Sequence, residues 1–259
     1  MPAELFDTHC HLTFKELLPE SDSVITTAAS VGVTRILTVA CHAEEIAAAE
    51  ALAERHPGIR LAGGVHPHEA RSADDEVLSR WAAFWRTAGV VAAGEMGLDY
   101  HYDFSPRAVQ QEVFQCQLDL AREADLPVIV HCREAHADVV RILAEQGYVD
   151  RAVVFHCFSG SLAEARELWA NGWWTSFTGV ITFKNADASR QVCAQAPADR
   201  LMFETDAPYL SPEPMRKVRP NTPALMIHTV RLAAVLRGCT FDELAENSTT
   251  NALGFFRIR

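Results

Sequence analysis

Short apolar stretches alternate with helix-like stretches along the whole chain, and this alternation constrains the fold more than any other feature. Eight such units fit into 259 residues, or about 32 residues a unit, which is the spacing of a (β/α)8 barrel. Strands that alternate with helices favour a parallel sheet with helical crossovers. The expected strands cover residues 5–6, 35–41, 59–65, 90–93, 127–130, 152–155, 173–177 and 201–203.

We predict an α/β fold: one (β/α)8 TIM barrel, regular or somewhat distorted, that occupies residues 1–259 as a single domain. Two further helices, at about 223–236 and 241–256, are expected to close the chain. A doubly wound open sheet is the alternative. No Gly-x-Gly-x-x-Gly turn follows the first strand, which disfavours the dinucleotide-binding form of that sheet.

The composition narrows the expected partners and location. A net charge of −11 argues against tight duplex binding driven by a basic surface, although a bound metal pair can make a cleft locally positive. Seven cysteines without regular spacing do not resemble a disulfide framework. The N-terminus lacks the features of a signal peptide, and no run of about 18 apolar residues occurs. We therefore expect a cytoplasmic protein with no membrane association and no obligate protein partner.

Histidines and carboxylates collect where the expected strands end. His9 and His11 follow the first strand. Because side chains alternate along a strand, both should point to one side while Cys10 points to the other. A His-x-His pair alone is more often a surface or core feature than a metal site. The metal-site interpretation of this pair is supported by similar residues at four later strand ends. They are Glu95, His131, His156 and Asp206.

The C-terminal strand ends of a barrel share one face, so these six side chains should converge there. Four imidazoles and two carboxylates exceed the four ligands of a structural zinc, and they suit two divalent ions with a bridging carboxylate. The mixed nitrogen and oxygen donors fit Mg, Mn or Zn. We assign Glu95 as the bridge, His9, His11 and Asp206 to one ion, and His131 and His156 to the other.

Other side chains at this face are candidates for binding a phosphate. His66 ends the third strand and could contact phosphate, protonate the leaving oxygen or cap its own turn. Arg133 lies two residues after the fifth-strand histidine, so it should face the same side as a bidentate phosphate partner. Three cationic residues follow the eighth strand and should overhang the metal face. They are Arg216, Lys217 and Arg219.

Aromatic and cysteine residues beside the ligand positions are assigned mainly to packing. Phe158 and Tyr209 follow ligand-bearing strands and should pack under the loops, with base stacking as the alternative. Three cysteines each adjoin a ligand and should therefore face the helix layer as small packing residues. They are Cys10, Cys132 and Cys157.

Seven sequence blocks follow one another in order from residue 6 to residue 223. They are FDTHCHL (6–12), GVHP (64–67), GEMGLDY (94–100), LPVIVHCR (126–133), HCFSG (156–160), ETDAPYL (204–210) and RPNTP (219–223). Together these blocks resemble the TatD family of metal-dependent hydrolases and DNases. The resemblance implies a TIM barrel of the metal-dependent hydrolase superfamily, two divalent ions and phosphodiester hydrolysis of DNA. The family's ligands carry over onto the six residues assigned above.

The predicted function is therefore that of a divalent-metal-dependent deoxyribonuclease acting on single-stranded DNA ends. Asp206 would orient the attacking water and take its proton, with Glu95 and His66 as further catalytic residues. Substrate binding is assigned to His66, Arg133 and Arg219. One alternative is a D-aminoacyl-tRNA deacylase or another metal-dependent ester or amide hydrolase. A non-catalytic metal-binding protein ranks last.

Overall fold

A computed structural model describes residues 4–258. Within that range, eight parallel strands form one sheet in the order of the sequence. The strands are β1 (Leu5–Cys10), β2 (Val33–Ala40), β3 (Ile59–Gly63), β4 (Val90–Asp99), β5 (Val128–Arg133), β6 (Val153–Phe155), β7 (Trp174–Phe177) and β8 (Leu201–Phe203). The helices are α1 (Ser21–Ser30), α2 (Ile46–Arg55), α3 (Asp75–Phe84), α4 (Arg107–Glu123), α5 (His136–Glu145), α6 (Leu162–Ala170), α7 (Asp187–Gln195), α8 (Met226–Arg237) and α9 (Phe241–Phe255).

The sheet closes between its first and last strands, with a buried carboxylate at the seam. Cys10 pairs in parallel with Ala207, just beyond β8, and the His11 N–H donates to the Ala207 carbonyl over 2.8 Å. The Asp7 carboxylate accepts both the backbone N–H of Thr205 (2.9 Å) and its hydroxyl (2.5 Å). The predicted TIM barrel is therefore confirmed.

Two apolar clusters lie on the two sides of this sheet. The larger cluster fills the space between the strands and the surrounding helices. The smaller cluster fills the barrel interior and is covered by Phe255 and Phe256 at the end of α9. Phe6, near the start of β1, lies 5.9 Å from Phe256 between ring centroids. The barrel is thus blocked at the N-terminal ends of its strands, and its open mouth is at the opposite end.

The fourth strand is longer than the sequence predicts. The expected strand covers 90–93, whereas β4 continues to Asp99. Gly94 and Gly97 resemble a loop in the sequence, but they lie within the strand with φ values of 117° and 142°. A Cβ atom at Gly94 would lie 2.3 Å from the carbonyl oxygen of Ile129 on β5. Glycine therefore allows the two strands to approach here instead of ending the strand.

A bulge in β4 turns Glu95 into the barrel. Ala93 pairs with Val128 and Met96 pairs with Val130, so three steps along β4 match two along β5. Such an extra residue exchanges the inward and outward faces of a strand. Met96 consequently packs on the helix side, and Glu95 faces the mouth.

A similar irregularity lies in β1. Asp7 pairs with Ile36 and Cys10 pairs with Thr38, again three steps against two. Phe6 faces the barrel interior, and the extra residue allows His9, three positions later, to face the same interior. The two bulges therefore bring ligand-type side chains from β1 and β4 to one place.

The remaining differences concern the ends of elements. The third strand ends at Gly63 instead of 65, and the fifth continues to Arg133. The closing helices are present as α8 and α9, with a short turn before α8. Among the described residues no single helix is long and apolar enough to cross a membrane. One pair, Pro223–Arg237 with Phe241–Phe255, meets the length and composition test only jointly and is bent by 107°.

Replacing Asp7 with alanine should lower the free energy of unfolding by about 2–4 kcal/mol, because the buried donors of Thr205 lose their acceptor. Urea unfolding at neutral pH measures this loss. The matched change Glu54→Ala, at an exposed position of α2, should alter stability by about 0.5 kcal/mol or less. A loss below about 1 kcal/mol for the Asp7 variant would contradict its role at the seam.

The contribution of Asp7 to the free energy of unfolding should also depend on pH. Burial raises the pKa of Asp7 to about 7, so folding favours its protonated form. This contribution is fully present below the unfolded-chain pKa of about 4 and is lost as the pH rises through 7. Relative to Asp7→Asn, the wild-type protein should therefore lose stability between those two pH values.

Candidate metal centre

The structure brings the six expected ligands together at the mouth of the barrel, with Glu95 at their centre. Its Oε1 lies 2.6 Å from Nε2 of His156 and 2.7 Å from Nδ1 of His131. Its Oε2 lies 3.3 Å from Nε2 of His9. One carboxylate therefore contacts imidazoles from three other strands or strand ends.

The second carboxylate lies on one side of this centre. Oδ1 of Asp206 is 3.4 Å from Nε2 of His11 and 4.0 Å from Nε2 of His9. These three residues form one compact donor group, and Glu95 forms others with its neighbouring imidazoles. The first group corresponds to one of the two predicted sets of ligands. Glu95 forms one group with His9 and His156 and another with His66 and His131. The assignment of His131 and His156 to one ion therefore stays a prediction.

The spacing of the imidazole nitrogens fits metal coordination. Nε2 of His9 lies 3.3 Å from Nε2 of His11, and Nδ1 of His131 lies 3.3 Å from Nε2 of His156. Two nitrogens bound tetrahedrally at about 2.1 Å from one ion would be about 3.4 Å apart. The nitrogen and carboxylate donors also suit zinc, manganese or magnesium. The cluster is therefore able to bind metal.

The cluster forms the floor of a cleft of about 780 Å³. Because the barrel interior beneath it is filled, the cleft is blind. Arg133 lines it, as predicted from sequence. Arg216 lies at its edge, with its guanidinium 3.9 Å from the ring centroid of the lining residue Phe183.

Other residues predicted at this face lie elsewhere. Within the described range, neither Arg219 nor Lys217 is among the residues that line the cleft. The Arg219 guanidinium instead donates to Ser211 Oγ over 2.9 Å, within its own loop. Phe158 is buried, as its packing assignment requires, whereas Tyr209 is 52% exposed and lines the cleft.

Comparison with known proteins identifies the family of this chain. The family model described as TatD related DNase matches residues 6–257. The chain belongs to the TatD family. It is 41% identical over 254 residues to the uncharacterized metal-dependent hydrolase YabD of Bacillus subtilis, covering 98% of this chain and 99% of YabD. It is 37% identical to the 3'-5' ssDNA/RNA exonuclease TatD of Cronobacter sakazakii, covering 97% of each chain.

A solved structure agrees with the same assignment. The TatD homologue YJJV from Escherichia coli K12 superimposes with a TM-score of 0.94 at 32% identity, over 100% of both chains. The protein is thus a metal-dependent hydrolase of the TatD family.

Residues behind the cluster orient two of its imidazoles through hydrogen bonds, and a buried carboxylate approaches a third imidazole. Nδ1 of His11 lies 2.9 Å from the Val39 carbonyl, so it carries the proton and leaves Nε2 free for a metal. Nε2 of His131 lies 3.0 Å from Oδ2 of Asp99, which leaves Nδ1 free. Glu204 lies 3.5 Å from Nδ1 of His156 and accepts the Cys157 N–H over 2.6 Å.

Sequence reasoning missed Asp99 and Glu204 as parts of the site. The signal for Asp99 was present, because positions 95, 97 and 99 share one face of a strand. A fourth strand that ends at residue 93, as the sequence predicts, does not include these positions. Glu204 lies two positions before Asp206, and the sequence prediction assigns a role only to the aspartate. Both carboxylates are buried.

The histidines of this TatD-family site keep its two buried carboxylates ionised. Burial would raise the pKa of Glu95, but the imidazoles of His156, His66 and His131 outweigh it and hold that pKa well below its usual range. The pKa of Asp206 is likewise lowered, because its histidine neighbours outweigh its burial. Both carboxylates are therefore ionised at neutral pH and available as ligands.

His66 has a different role from the six converging residues. Its Nδ1 accepts the backbone N–H of His68 over 3.1 Å, so the proton of the neutral ring is on Nε2. That nitrogen lies 3.5 Å from Oε1 of Glu95. Burial lowers the pKa of His66 to about 4. A neutral imidazole therefore presents an N–H donor to the cluster.

The cysteines near the ligands follow the predicted packing only in part. Cys10 is buried on the helix side. Cys132 packs partly against that core. Cys132 and Cys157 both line the cleft. For Cys157 the expectation that it faces away is wrong, because a left-handed backbone (φ 45°) follows β6 instead of regular strand alternation. The sequence does not predict a role for Cys41, but its Sγ lies 3.9 Å from Nδ1 of His11.

Asp99→Asn should lower the affinity for a divalent ion by about 10- to 100-fold, because His131 loses its charged orienting partner. Isothermal titration with Mn or Zn measures this change. Asp119→Asn, on the exposed side of α4, is the matched control and should bind as the wild type does. Unchanged affinity in a folded Asp99 variant would show that Asp99 does not orient the ligand.

Proposed function

We propose that this TatD-family hydrolase is an exonuclease that cleaves phosphodiester bonds at the ends of single-stranded nucleic acid, with DNA as the principal substrate. The observation that carries the proposal is the cluster of carboxylates and imidazoles on the floor of a blind cleft. A blind cleft admits a chain end more readily than the middle of a strand. Relatives named 3'-5' ssDNA/RNA exonuclease, at 36–37% identity, support the same activity and polarity.

Two divalent ions per chain, Mg, Mn or Zn, are proposed as the cofactors. Glu95 would contact both, with His9, His11 and Asp206 on one side and His131 and His156 on the other. Ions bound there would lower the pKa of a water molecule and neutralise charge on the phosphate oxygens. The fit rests on the two 3.3 Å nitrogen pairs and the two ionised carboxylates.

Asp206 is the proposed proton acceptor. Its side chain is 14% exposed, so it can reach water in the cleft while also contacting His11. Its lowered pKa keeps it ionised and able to orient that water. The water attacks phosphorus and its proton passes to Asp206. The bond from phosphorus to the leaving oxygen breaks on the opposite side, and that oxygen takes a proton from solvent water at the open side of the cleft.

His66 and Arg133 are proposed to bind the phosphate. The Nε2–H of His66 points into the cluster, and a pKa of about 4 favours hydrogen-bond donation over delivery of a proton to the leaving oxygen. The guanidinium of Arg133 offers two parallel donors at the cleft wall. Arg219 is better assigned to its own loop, because it bonds Ser211 and the Val218 carbonyl.

The activity is tested by a time course on end-labelled single-stranded DNA, duplex DNA and D-aminoacyl-tRNA. We expect nucleotides to be released from single strands faster than from duplex, with rates that fall as salt rises. Chelation should abolish release, and added Mn or Mg should restore it. Full activity after exhaustive metal removal would contradict the mechanism. Deacylation that depends on Glu95, without DNA cleavage, would establish the alternative hydrolase.

Two variants test the division of roles. Glu95→Ala should disturb both ions, because its carboxylate contacts imidazoles of both groups. Asp206→Ala should retain part of the metal while lowering kcat by about 10²- to 10⁴-fold, the usual contribution of a positioned proton acceptor. Elemental analysis of metal per chain, beside the DNA assay, measures both effects. Equal metal loss in the two variants would refute the bridging role of Glu95.

A further inference from the structure

Exposed aromatic rings are concentrated at the mouth of the cleft. Among the described residues, the large apolar side chains that are exposed include three aromatic ones. Tyr102 is 48% exposed, Phe104 55% and Tyr209 52%. Tyr102 and Tyr209 line the cleft, and the Phe104 ring lies 4.8 Å from the ring of the lining residue His68. Single exposed apolar side chains are common in proteins, but exposed aromatic rings grouped around one cleft are typical of a binding surface.

Two of these rings form one flat stack. The centroids of Tyr102 and Phe104 are 5.3 Å apart, and their planes differ by 14°. The Arg133 guanidinium lies 4.7 Å from the Tyr102 centroid. The cation lies over one ring of the stacked pair, so the site combines an aromatic surface for bases with attraction for phosphate.

The stack is held in place by the site itself. Oδ1 of Asp99 accepts the Tyr102 N–H over 2.9 Å, while Oδ2 of the same carboxylate contacts His131 over 3.0 Å. The Phe104 carbonyl accepts from Arg71. Ser105, next in the chain, donates to the His68 carbonyl over 2.8 Å. The backbone that carries both rings is therefore fixed by hydrogen bonds to the site, which lowers the entropic cost of binding.

We propose that Tyr102 and Phe104 form a stacking platform for a nucleobase of the single strand whose terminal phosphodiester lies at the Glu95 cluster. This inference rests on the proposed function and names the feature of the substrate that the cleft recognises beyond its phosphate. Stacking tolerates any base, so the platform confers preference for unpaired nucleic acid without sequence specificity. A paired base has its faces covered within the duplex and cannot use it.

Exposed aromatic rings lie on two sides of the Glu95 cluster. Tyr102 and Phe104 follow β4, whereas Tyr209 follows β8, on the opposite side of the eight-stranded barrel. Tyr209 packs edge-on against Phe14, with 6.3 Å between centroids. The cluster lies between these two aromatic sites.

The test uses the metal-loaded protein and a phosphorothioate-linked octanucleotide that resists hydrolysis and carries one terminal 2-aminopurine. A second octamer has the same backbone with abasic residues at every position. Binding of the first to wild type should quench 2-aminopurine fluorescence. The double variant Tyr102→Ala/Phe104→Ala should abolish the quench and raise the Kd by about 10- to 100-fold. Its Kd for the abasic octamer should equal that of wild type.

Two further variants sharpen the comparison. Tyr102→Leu/Phe104→Leu keeps apolar area but removes the aromatic faces, and it should lose the quench as the alanine pair does. Val235→Ala, at a 76% exposed position of α8, should match wild type throughout.

Each failure has a distinct meaning. A double variant that binds the base-bearing octamer as tightly as wild type, or a wild type that binds both octamers equally, overturns the platform alone. A leucine pair that keeps the quench overturns stacking as its basis. A wild type that neither binds these strands nor cleaves single-stranded DNA refutes the proposed function itself, and the platform with it.

Discussion

The buried carboxylate of Glu95 among imidazoles is the interaction on which the rest of the site depends. An anion at 3% exposure is costly unless several partners compensate it. Here His9, His131 and His156 approach it from three directions, so the chain must bring β1, β5 and β6 to the same point. The closed barrel achieves this, because its strand ends share one face.

The same requirement explains the irregular strands. In regular alternation Glu95 would face the helices once Ala92 faces the interior, since the two are an odd number of positions apart. The bulge against β5 removes this conflict, and Gly94 provides the space for it beside the Ile129 carbonyl. The bulge in β1 does the same for His9. The distortions are therefore part of how the site is built.

Asp99 connects the chemistry to the surface that surrounds it. One oxygen holds His131 and His68, and the other holds the backbone of His101 and Tyr102. A single buried carboxylate thus fixes a ligand-type imidazole and the loop that presents the exposed rings. One group therefore positions the cluster and the loop relative to each other, which a positioned substrate requires. The chain has a negative net charge, but the cationic side chains of Arg133 and Arg216 lie at the cleft. The net charge is therefore compatible with a nucleic acid substrate.

The sequence by itself determined the barrel, the family and the residue types at the strand ends. The periodicity of apolar residues and the residue types at strand ends are local properties. Both can be identified within short blocks such as 6–12 and 126–133. Only the tertiary structure decided which way the bulged residues face, because register depends on the neighbouring strand. It also decided that Asp99 and Glu204 stand behind histidines, that Arg219 turns into its own loop and that Tyr102 stacks on Phe104. Those outcomes depend on contacts between segments far apart in the chain, whose distances no local pattern encodes.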